Sequence, residues 1–315
     1  MLVIDNYQLE HLFSFPPLIS ALNQGFTEDI VTPPREHHHY SEGSDLLLMP
    51  AWKSGGYLGV KLITVVAGNR ELGIPSIQGS YLLFNAESGE PIAQLSAPIL
   101  TNFRTAATSA LAAKYLARKN SKRFLMVGTG SLAPFLIRAH ASVRSYDEIA
   151  IWGRNSDKVD KIIETLESEF SIKKVLIGDL SSATKDADVI SVATMSGNPL
   201  IYGANIQPGT HVDLVGSYRP DMREADDEMI LKSKLYVDSP QAIHESGDLV
   251  IPIRNKVINI DRICGSLPDL VKARIKGRSN DEEITLYKSV GHASQDLIAA
   301  IFAYQNYGRF YLEKI

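Results

Sequence analysis

Short apolar runs alternate with helical segments through the middle of the chain. Six runs have the length and composition of strands: RFLMV (123–127), IAIW (149–152), KKVLI (173–177), DVISVA (188–193), HVDLV (211–215) and KLYVD (234–238). Between them, NSDKVDKIIETLESEF repeats apolar residues at helical spacing. Strands that alternate with helices form a parallel sheet covered on both faces. The pattern predicts an α/β fold with a doubly wound, Rossmann-type parallel sheet.

The first part of the chain has a different pattern. Longer β-rich pieces such as GGYLGVKLITVV are separated by Gly, Asn and Pro turns. A helix follows in LTNFRTAATSALAAKYLARK, where Thr101 is a candidate N-cap. A last helix, in HASQDLIAAIFAYQNYG, is expected to pack back onto this part. We predict a β-rich domain at residues 1–115 with 292–315, and a Rossmann domain at residues 116–291.

Composition excludes several classes of protein. A chain of 315 residues with 44% hydrophobic residues can bury the cores of two domains. A net charge of -4 gives no indication of a nucleic acid or membrane partner. The single cysteine, Cys264, excludes an intramolecular disulfide, and we expect it to be packed as a small hydrophobic residue. Asp5 and Glu10 interrupt what would be a signal-peptide core, so we expect a soluble, cytoplasmic protein.

A glycine-rich turn follows the first predicted strand of the Rossmann domain. Gly128, Gly130 and Ala133 form a G-x-G-x-x-A pattern between that strand and a helix. The first glycine permits a tight turn, and the second lets the backbone approach a pyrophosphate. The helix N-terminus offers free N–H groups to the phosphates. We therefore predict that a dinucleotide contacts the turn residues Gly128, Thr129, Gly130, Ser131 and Leu132.

The end of the second strand bears on which dinucleotide binds. An Asp or Glu usually accepts hydrogen bonds from the ribose there when the cofactor lacks a 2′-phosphate. This chain instead has Arg154 and Asn155, with no acidic residue before Asp157. A guanidinium can donate two parallel bonds to a phosphate. The alternative is a solvated arginine that opens the next helix. We predict that Arg154 and Asn155 contact the cofactor, which is NADPH, with NADH as the alternative.

Two cations lie where structure alone does not favour them. Lys61 lies in a predicted strand whose two faces both look apolar, and a buried, unpaired ammonium is costly. Arg104 lies three residues after Thr101, in a first helical turn where the helix dipole disfavours a cation. Each has an ordinary alternative, a side chain that reaches solvent. Together they indicate a shared anion, and a substrate carboxylate is the natural candidate.

The run of His37, His38 and His39 is a possible metal site. No second cluster of ligands accompanies it, and adjacent histidines in an extended loop point in different directions. We therefore interpret the segment as a solvated loop and predict no metal site.

Several blocks resemble the ornithine cyclodeaminase/mu-crystallin family. They are LMPAW, GVKLITV, LTNFRTAATSALAAKYLA, MVGTGSLAP, WGRN, GSYRPDMREADDE and ITLYKSVGHASQDLIAA. The resemblance implies a homodimer, a nicotinamide cofactor, and a substrate cleft between a substrate-binding and dimerisation domain and the dinucleotide-binding domain. It implies that Arg35, Lys61 and Arg104 bind the substrate carboxylate, with Lys61 and Arg104 as the candidate catalytic residues.

The same resemblance extends to the cofactor site. The KSVG segment matches the one that lies near the nicotinamide in relatives, so we expect cofactor contacts from Ser289 and Gly291, and also from Thr194. Asp296 follows in SQDLIAA, but it could equally cap or solubilise its helix, and we give it little functional weight.

The GSYRPD segment separates branches of the family. In the cyclodeaminases the matching segment resembles Gly-Gly-Asp-Cys-Pro-Gly, and its aspartate handles the substrate's amino groups. That aspartate aligns with Tyr218 here, while Asp221 falls outside the slot. A phenol removes the charge that ring closure of ornithine needs. The segment instead resembles that of the ketimine reductases, which implies reduction of 1-pyrroline-2-carboxylate to L-proline, with 1-piperideine-2-carboxylate to L-pipecolate as a side activity.

Other functions stay open at this point. The family also includes the ornithine cyclodeaminases, an alanine-type dehydrogenase, opine-type synthases, and mu-crystallin, which binds NADPH and thyroid hormone. Tyr218 is either a substrate contact or an aromatic packed between domains. Lys61 or a water molecule would supply any proton that the imine nitrogen lacks.

Overall fold

The computed structural model describes residues 1–308, except for the side chain of Arg70. The chain forms two compact units. The first, the β-rich unit, comprises Met1–Thr108 and the segment from His292 onward; the second, the parallel unit, comprises Ser109–Gly291. The boundary between Thr108 and Ser109 falls before the position we expected, between residues 115 and 116. Residues 309–315, which we assigned to the first domain, lie outside the described part of the chain.

The secondary structure of the described chain follows in chain order. The strands are β1 (Leu2–Ile4), β2 (Glu36–Ser41), β3 (Ser44–Trp52), β4 (Tyr57–Val66), β5 (Ile77–Asn85), β6 (Pro91–Ser96), β7 (Arg123–Val127), β8 (Glu148–Trp152), β9 (Ile172–Lys174), β10 (Val189–Val192), β11 (His211–Leu214), β12 (Lys234–Val237), β13 (Ile263–Ser266) and β14 (Thr285–Lys288). The helices are α1 (Asn6–Leu12), α2 (Phe15–Gly25), α3 (Ala97–Leu116), α4 (Ala133–Ala141), α5 (Ser156–Leu166), α6 (Leu180–Asp186), α7 (Asp227–Lys232), α8 (Ala242–Glu245), α9 (Gly247–Arg254), α10 (Leu267–Val271) and α11 (Ala293–Tyr307).

The β-rich unit is built on a six-stranded sheet in the order β1-β6-β5-β4-β3-β2. The pairs from β2 to β6 are antiparallel, and β1 joins β6 in parallel. Helix α11 packs against β3, β4, β5 and α2, which confirms that the last helix returns to the first part of the chain. A Cβ atom on Gly25 would lie 2.6 Å from Ile298, so glycine at that position permits the close approach of α2 to α11.

The parallel unit is built on an eight-stranded sheet in the order β13-β12-β14-β11-β10-β7-β8-β9. Every pair is parallel, which confirms the predicted Rossmann-type sheet. The strand order reverses between β7 and β10, and ligands bind at the carboxyl edge of such a reversal. Strands β10 and β11 are buried along their whole length, and β7 is buried except for Arg123, as expected for central strands that are covered on both faces.

The structure corrects four of our predictions of local structure. The sheet has two further strands, β13 and β14, and β14 lies between β11 and β12. The third predicted strand of the Rossmann domain, predicted at residues 173–177, is β9 and ends at Lys174. Helix α3 begins at Ala97, so Thr101 is not its cap and Arg104 lies in its second turn. Short strands and helix starts are poorly specified by local sequence because tertiary pairing decides them.

Two surface features also differ from expectation. The three-histidine segment is not a loop: it forms β2, an exposed edge strand. Cys264, which we expected to be packed, is exposed on β13. Across residues 1–308, none of the helices combines the length and the apolarity that crossing a membrane demands.

Candidate active-site residues

A buried ion-pair cluster lies in the β-rich unit. Lys61 Nζ, on β4, lies 2.7 Å from Asp296 Oδ2, and Arg104 Nε, on α3, donates to Asp296 Oδ1 at 2.8 Å. Arg104 Nη1 also donates to Gln295 Oε1 at 2.6 Å. The relative exposure is 3% for Lys61, 4% for Arg104 and 0% for Asp296. Three charged side chains from β4, α3 and α11 are therefore brought together out of water.

Asp296 is the shared anion that the two cations indicated. We expected a substrate carboxylate in that role and gave Asp296 little weight, because an acidic residue early in a helix often caps it. The N-cap of α11 is His292, and Asp296 instead points to Lys61 and Arg104. No local signal identifies this pairing, since Arg104 and Asp296 are 192 residues apart.

The pKa values of Lys61 and Asp296 determine the net charge of this cluster. The pKa of Lys61 is lowered to about 8, chiefly by burial; Asp296 opposes this shift, whereas Arg104 and Arg35 contribute to it. Burial alone would raise the pKa of Asp296, but the charges of Arg104 and Lys61 lower it overall. Asp296 is therefore a carboxylate at neutral pH, facing two cations and influenced by a third. The cluster has an excess of positive charge, which favours a further anion.

Arg35 is half-buried and immediately precedes β2. Its charge contributes to the lowered pKa of Lys61, as that of Arg104 does. The three residues that we predicted to bind the substrate carboxylate therefore interact electrostatically. Neither burial nor charge patterns in the sequence pointed to Arg35; only the family resemblance identified it.

Tyr81 is a neighbour of Lys61 that sequence reasoning missed. It lies directly opposite Lys61 in the β4–β5 pair and is completely buried. Its Oη atom bonds to none of the described residues and occupies the space where a Cβ atom of Gly59 would lie, 2.0 Å away. Burial raises the pKa of Tyr81 well above its ordinary value, and the charge of Asp296 adds to this effect. The phenol is therefore neutral, with a hydroxyl proton available to donate.

The glycine-rich turn has the geometry of a phosphate-binding loop. Gly128 has φ +124°, and a Cβ atom there would lie 2.4 Å from the carbonyl oxygen of Ala193. Nothing in the described chain lies within 4 Å of a Cβ position on Gly130. Helix α4 begins at Ala133 without a side-chain cap. A glycine with a positive φ, a glycine with open space beside it and a helix start without a side-chain cap together fit a dinucleotide pyrophosphate.

The residues around the turn have separate roles. Gly153, at the end of β8, would place a Cβ atom 2.4 Å from Thr129 Cγ2, so only glycine leaves room for this threonine. Asn155 caps α5 by accepting from Lys158 N at 3.0 Å. Arg154 between them is exposed and makes no hydrogen bond or ion pair with the described residues. Its guanidinium is therefore available to a ligand.

Glu224 organises the carboxyl edge of the parallel sheet. Its Oε1 accepts from Thr194 N at 2.7 Å and Thr194 Oγ1 at 2.8 Å, and its Oε2 accepts from Gly216 N at 2.8 Å and Ser217 N at 3.1 Å. Lys288 Nζ lies 3.9 Å away, and burial raises the pKa of Glu224 to about 7 against the opposing charge of Lys288. Glu224 thus fixes the ends of β10 and β11, including Thr194. Its position in a polar segment gave no sign of this role.

Asp238 fixes the segment after β14 in the same way. Its Oδ2 accepts from Ser289 Oγ at 3.0 Å, Val290 N at 3.0 Å and Gly291 N at 2.7 Å. Ser289 and Gly291, both predicted cofactor contacts, therefore lie on an ordered turn beyond the sheet. Asp238 was missed because its partners are some 50 residues away.

Tyr218 is half-buried, and its hydroxyl makes no hydrogen bond with the described residues. Asp221, three residues on, is exposed and ion-paired with Arg219. This segment therefore has a phenol where the cyclodeaminase segment has an aspartate. The nearby carboxylate of Asp221 is on the surface, paired with Arg219.

Comparisons with known proteins identify related sequences and solved structures. The sequence model of the ornithine cyclodeaminase/mu-crystallin family matches residues 9–309. The Delta(1)-pyrroline-2-carboxylate reductase of Colwellia psychrerythraea is 36% identical over 312 residues, covering 95% of this chain and 97% of that protein. The structure of the Thermococcus litoralis Delta(1)-pyrroline-2-carboxylate reductase in complex with NADH and L-proline has a TM-score of 0.93 at 34% identity, covering 100% of this chain and 98% of that one. An archaeal alanine dehydrogenase dimer with bound NAD has a TM-score of 0.91 at 28% identity, covering 100% and 97%.

Proposed function

The chain belongs to the ornithine cyclodeaminase/mu-crystallin family, and on that premise we propose that it is a ketimine reductase. The reaction is reduction of 1-pyrroline-2-carboxylate to L-proline, with 1-piperideine-2-carboxylate to L-pipecolate as a side activity. The observation that carries the proposal is the buried Lys61–Asp296–Arg104 cluster with its excess positive charge. Relatives such as the Colwellia and Thermococcus reductases supply the substrate class.

Arg104 and Arg35 would bind the substrate carboxylate. Asp296 and Gln295 engage Nε and Nη1 of Arg104, while Nη2 bonds to none of the described residues. The two engaged atoms hold the guanidinium plane in one orientation, so a carboxylate would meet a rigid donor. Arg35 would add a second charge on the same region.

Lys61 would hold or give a proton at the substrate nitrogen. A buried lysine with a pKa of about 8 exchanges its proton close to neutral pH, unlike a solvated lysine. The ion pair with Asp296 fixes its Nζ atom. Tyr81, neutral and directly opposite on β5, would donate a hydrogen bond to a ligand atom beside Lys61. No carboxylate other than Asp296 is needed, which agrees with tyrosine at position 218.

The cofactor would be held by the parallel unit. Gly128–Leu132 and the first N–H groups of α4 would bind the pyrophosphate, and the ordered segments at Thr194 and at Ser289–Gly291 would line the nicotinamide. A reduced nicotinamide supplies the hydride for the C=N carbon. The related solved structures contain NADH or NAD. For this chain we favour NADPH, because Arg154 is unengaged where an acidic residue would serve NADH.

Cofactor preference is tested by comparing kcat/KM for NADPH and NADH. Arg154→Ala should lower kcat/KM for NADPH at least tenfold and leave that for NADH unchanged. Lys173→Ala, which removes another exposed cation, is the matched control. An equal effect of Arg154→Ala on both cofactors would contradict a role for Arg154 at the 2′-phosphate.

The reaction is tested by loss of NADPH or NADH absorbance on addition of 1-pyrroline-2-carboxylate, with L-ornithine in parallel. Rapid oxidation with no reaction of ornithine is the expected result. Ammonia release from ornithine without imine reduction would instead identify a cyclodeaminase. Oxidation only with pyruvate and ammonia would identify an alanine dehydrogenase, the activity of one structural relative. Tight NADPH binding without any turnover would identify a binding protein.

A homodimer is part of the proposal. The six-stranded sheet has edge strands β1 and β2, and unpaired edges favour association. The archaeal alanine dehydrogenase of the same fold is a dimer. Light scattering coupled to gel filtration should give twice the mass of 34.7 kDa, and a mass of one chain would overturn this part.

A further inference from the structure

Strand β2 places two of its three histidines beside a carboxylate of β3. His37 and His39 are alternate residues of β2 and share one of its faces. Asp45 lies directly opposite His39 in the β2–β3 pair. His37 Nε2 lies 3.1 Å from Asp45 Oδ1, and His39 Nδ1 contacts the same oxygen. One ligand atom from each residue lies within 4.8 Å of the other two.

The separation of His37 from Asp45 suits a small transition-metal ion, and the closer contact of His39 with the same oxygen would have to widen to admit one. Zinc bonds to nitrogen and oxygen are about 2.0–2.2 Å long, so tetrahedral ligand atoms are separated by about 3.3 Å. The 3.1 Å separation of His37 Nε2 from Asp45 Oδ1 needs little adjustment to meet this distance. Two imidazole nitrogens and one carboxylate favour zinc, nickel or copper over calcium and magnesium, which prefer oxygen ligands alone.

The three side chains can be reached from solvent, and their backbone is held in a strand pair. His37 and His39 side chains are 52% and 77% exposed, so an ion can reach them from solvent. The Asp45 side chain is 22% exposed, and its Oδ1 atom is buried. The β2–β3 ladder fixes the backbone of all three residues. We propose that His37, His39 and Asp45 form a surface site for one divalent transition-metal ion of the zinc class, with further coordination positions open to solvent.

A bound ion would join the edge strand to its neighbour. Among the described strands, β2 pairs with β3 alone, and the three ligands come from both strands. An ion that binds the folded chain alone raises its stability in proportion to the logarithm of its concentration above Kd. Metal binding should therefore raise the melting temperature as well as give a calorimetric signal.

The test is titration of zinc into the complete protein without a histidine tag, after treatment with a chelator and its removal. We expect one zinc ion per chain, an increase in melting temperature, and no response to magnesium. His37→Ala, His39→Ala and Asp45→Asn should each weaken zinc binding at least about tenfold, since loss of an outer-shell partner already costs that much. Each residue is partly or largely exposed in the unit, so these variants should keep the fold.

His38→Ala is the matched control. His38 lies between the two proposed ligands but on the opposite face of β2, where it pairs with Glu36. The proposal requires that this variant bind zinc as the original protein does. It is overturned if the original protein binds no zinc, if His38→Ala loses as much affinity as His37→Ala, or if His37→Ala/His39→Ala retains full affinity. Cobalt in place of zinc adds a visible absorption band that should disappear in the same variants.

Discussion

Lys61 Nζ lies 2.7 Å from Asp296 Oδ2, and both side chains are buried. A buried charge is costly without a partner, so each of these residues requires the other. Arg104 contacts the second oxygen of Asp296, and the cluster therefore has two cations for one anion. In the proposed reaction the substrate carboxylate restores the balance, so the same charges that constrain folding also select an anionic substrate.

Asp296→Asn should destabilise the protein by about 3–5 kcal/mol, because it leaves Lys61 and Arg104 buried without their anion. The change is measured as the shift in the free energy of unfolding in urea. Asp221→Asn is the control, since Asp221 forms an ion pair on the surface, and it should have no measurable effect. Equal effects of the two substitutions would contradict a structural role for the buried cluster.

Arg104→Lys should raise KM for the cyclic imino acid at least tenfold, with a smaller change in KM for NADPH. Lysine keeps the charge but loses the planar group that donates to Asp296 and Gln295 and is proposed to bind the carboxylate. Steady-state kinetics measure both constants. Arg138→Lys, at a surface pair with Glu169, is the control. An unchanged KM for the imino acid would remove Arg104 from the substrate site.

Titration of Lys61 should make kcat/KM depend on pH, whereas surface lysines should have no such effect. We expect kcat/KM for imine reduction to fall as pH rises through about 8, because the ammonium form loses its proton there. Lys61→Met should have low activity without this limb. Lys53→Met, which removes a partly exposed lysine paired with Glu28, should retain it. A profile that is flat to pH 10 in the original protein would contradict protonated Lys61 as the active form.

The same group affects stability in a defined direction. The pKa of Lys61 is about 8 in the folded protein and 10.5 as the ordinary value, so the unfolded chain binds more protons between these limits. The contribution of Lys61 to the free energy of unfolding should therefore rise with pH from about 8 to 10.5 and be constant below that window. Comparison of urea unfolding for the original protein and Lys61→Met across this range measures it. A contribution that falls across the window would contradict the lowered pKa.

Gly128 and Gly130 should differ in what they tolerate. Gly128→Ala should lower the melting temperature, because φ is +124° and the new methyl group would lie 2.4 Å from the Ala193 carbonyl oxygen. Gly130→Ala meets no protein atom within 4 Å and should leave the melting temperature unchanged while weakening NADPH binding at least tenfold. Thermal unfolding and a fluorescence titration with NADPH distinguish the two effects. Full NADPH affinity in Gly130→Ala would contradict pyrophosphate binding at this turn.

The sequence by itself determined the features that depend on neighbouring residues. The alternation of apolar strands and helices specified the parallel sheet, and Gly128, Gly130 and Ala133 specified the tight turn that we propose binds the phosphates, because backbone conformation and helix periodicity are local properties. The position of Lys61 in an apolar strand also indicated a nearby anion, since a buried cation needs a counter-charge whatever the fold. The corresponding argument for Arg104 assumed a helix start at Thr101, whereas α3 begins at Ala97.

Only the tertiary structure decided which groups meet. Asp296 is 192 residues from Arg104, and its identity as the anion depends on the return of α11 to the β-rich sheet. Strand order places β14 between β11 and β12. It also brings Thr194 and Gly216 to the same sheet edge, where the backbone N–H groups of both donate hydrogen bonds to Glu224. His37 and His39 face Asp45 because the segment pairs as an edge strand. Strand pairing and the burial of charge are decided by contacts distant in sequence, which no local pattern encodes.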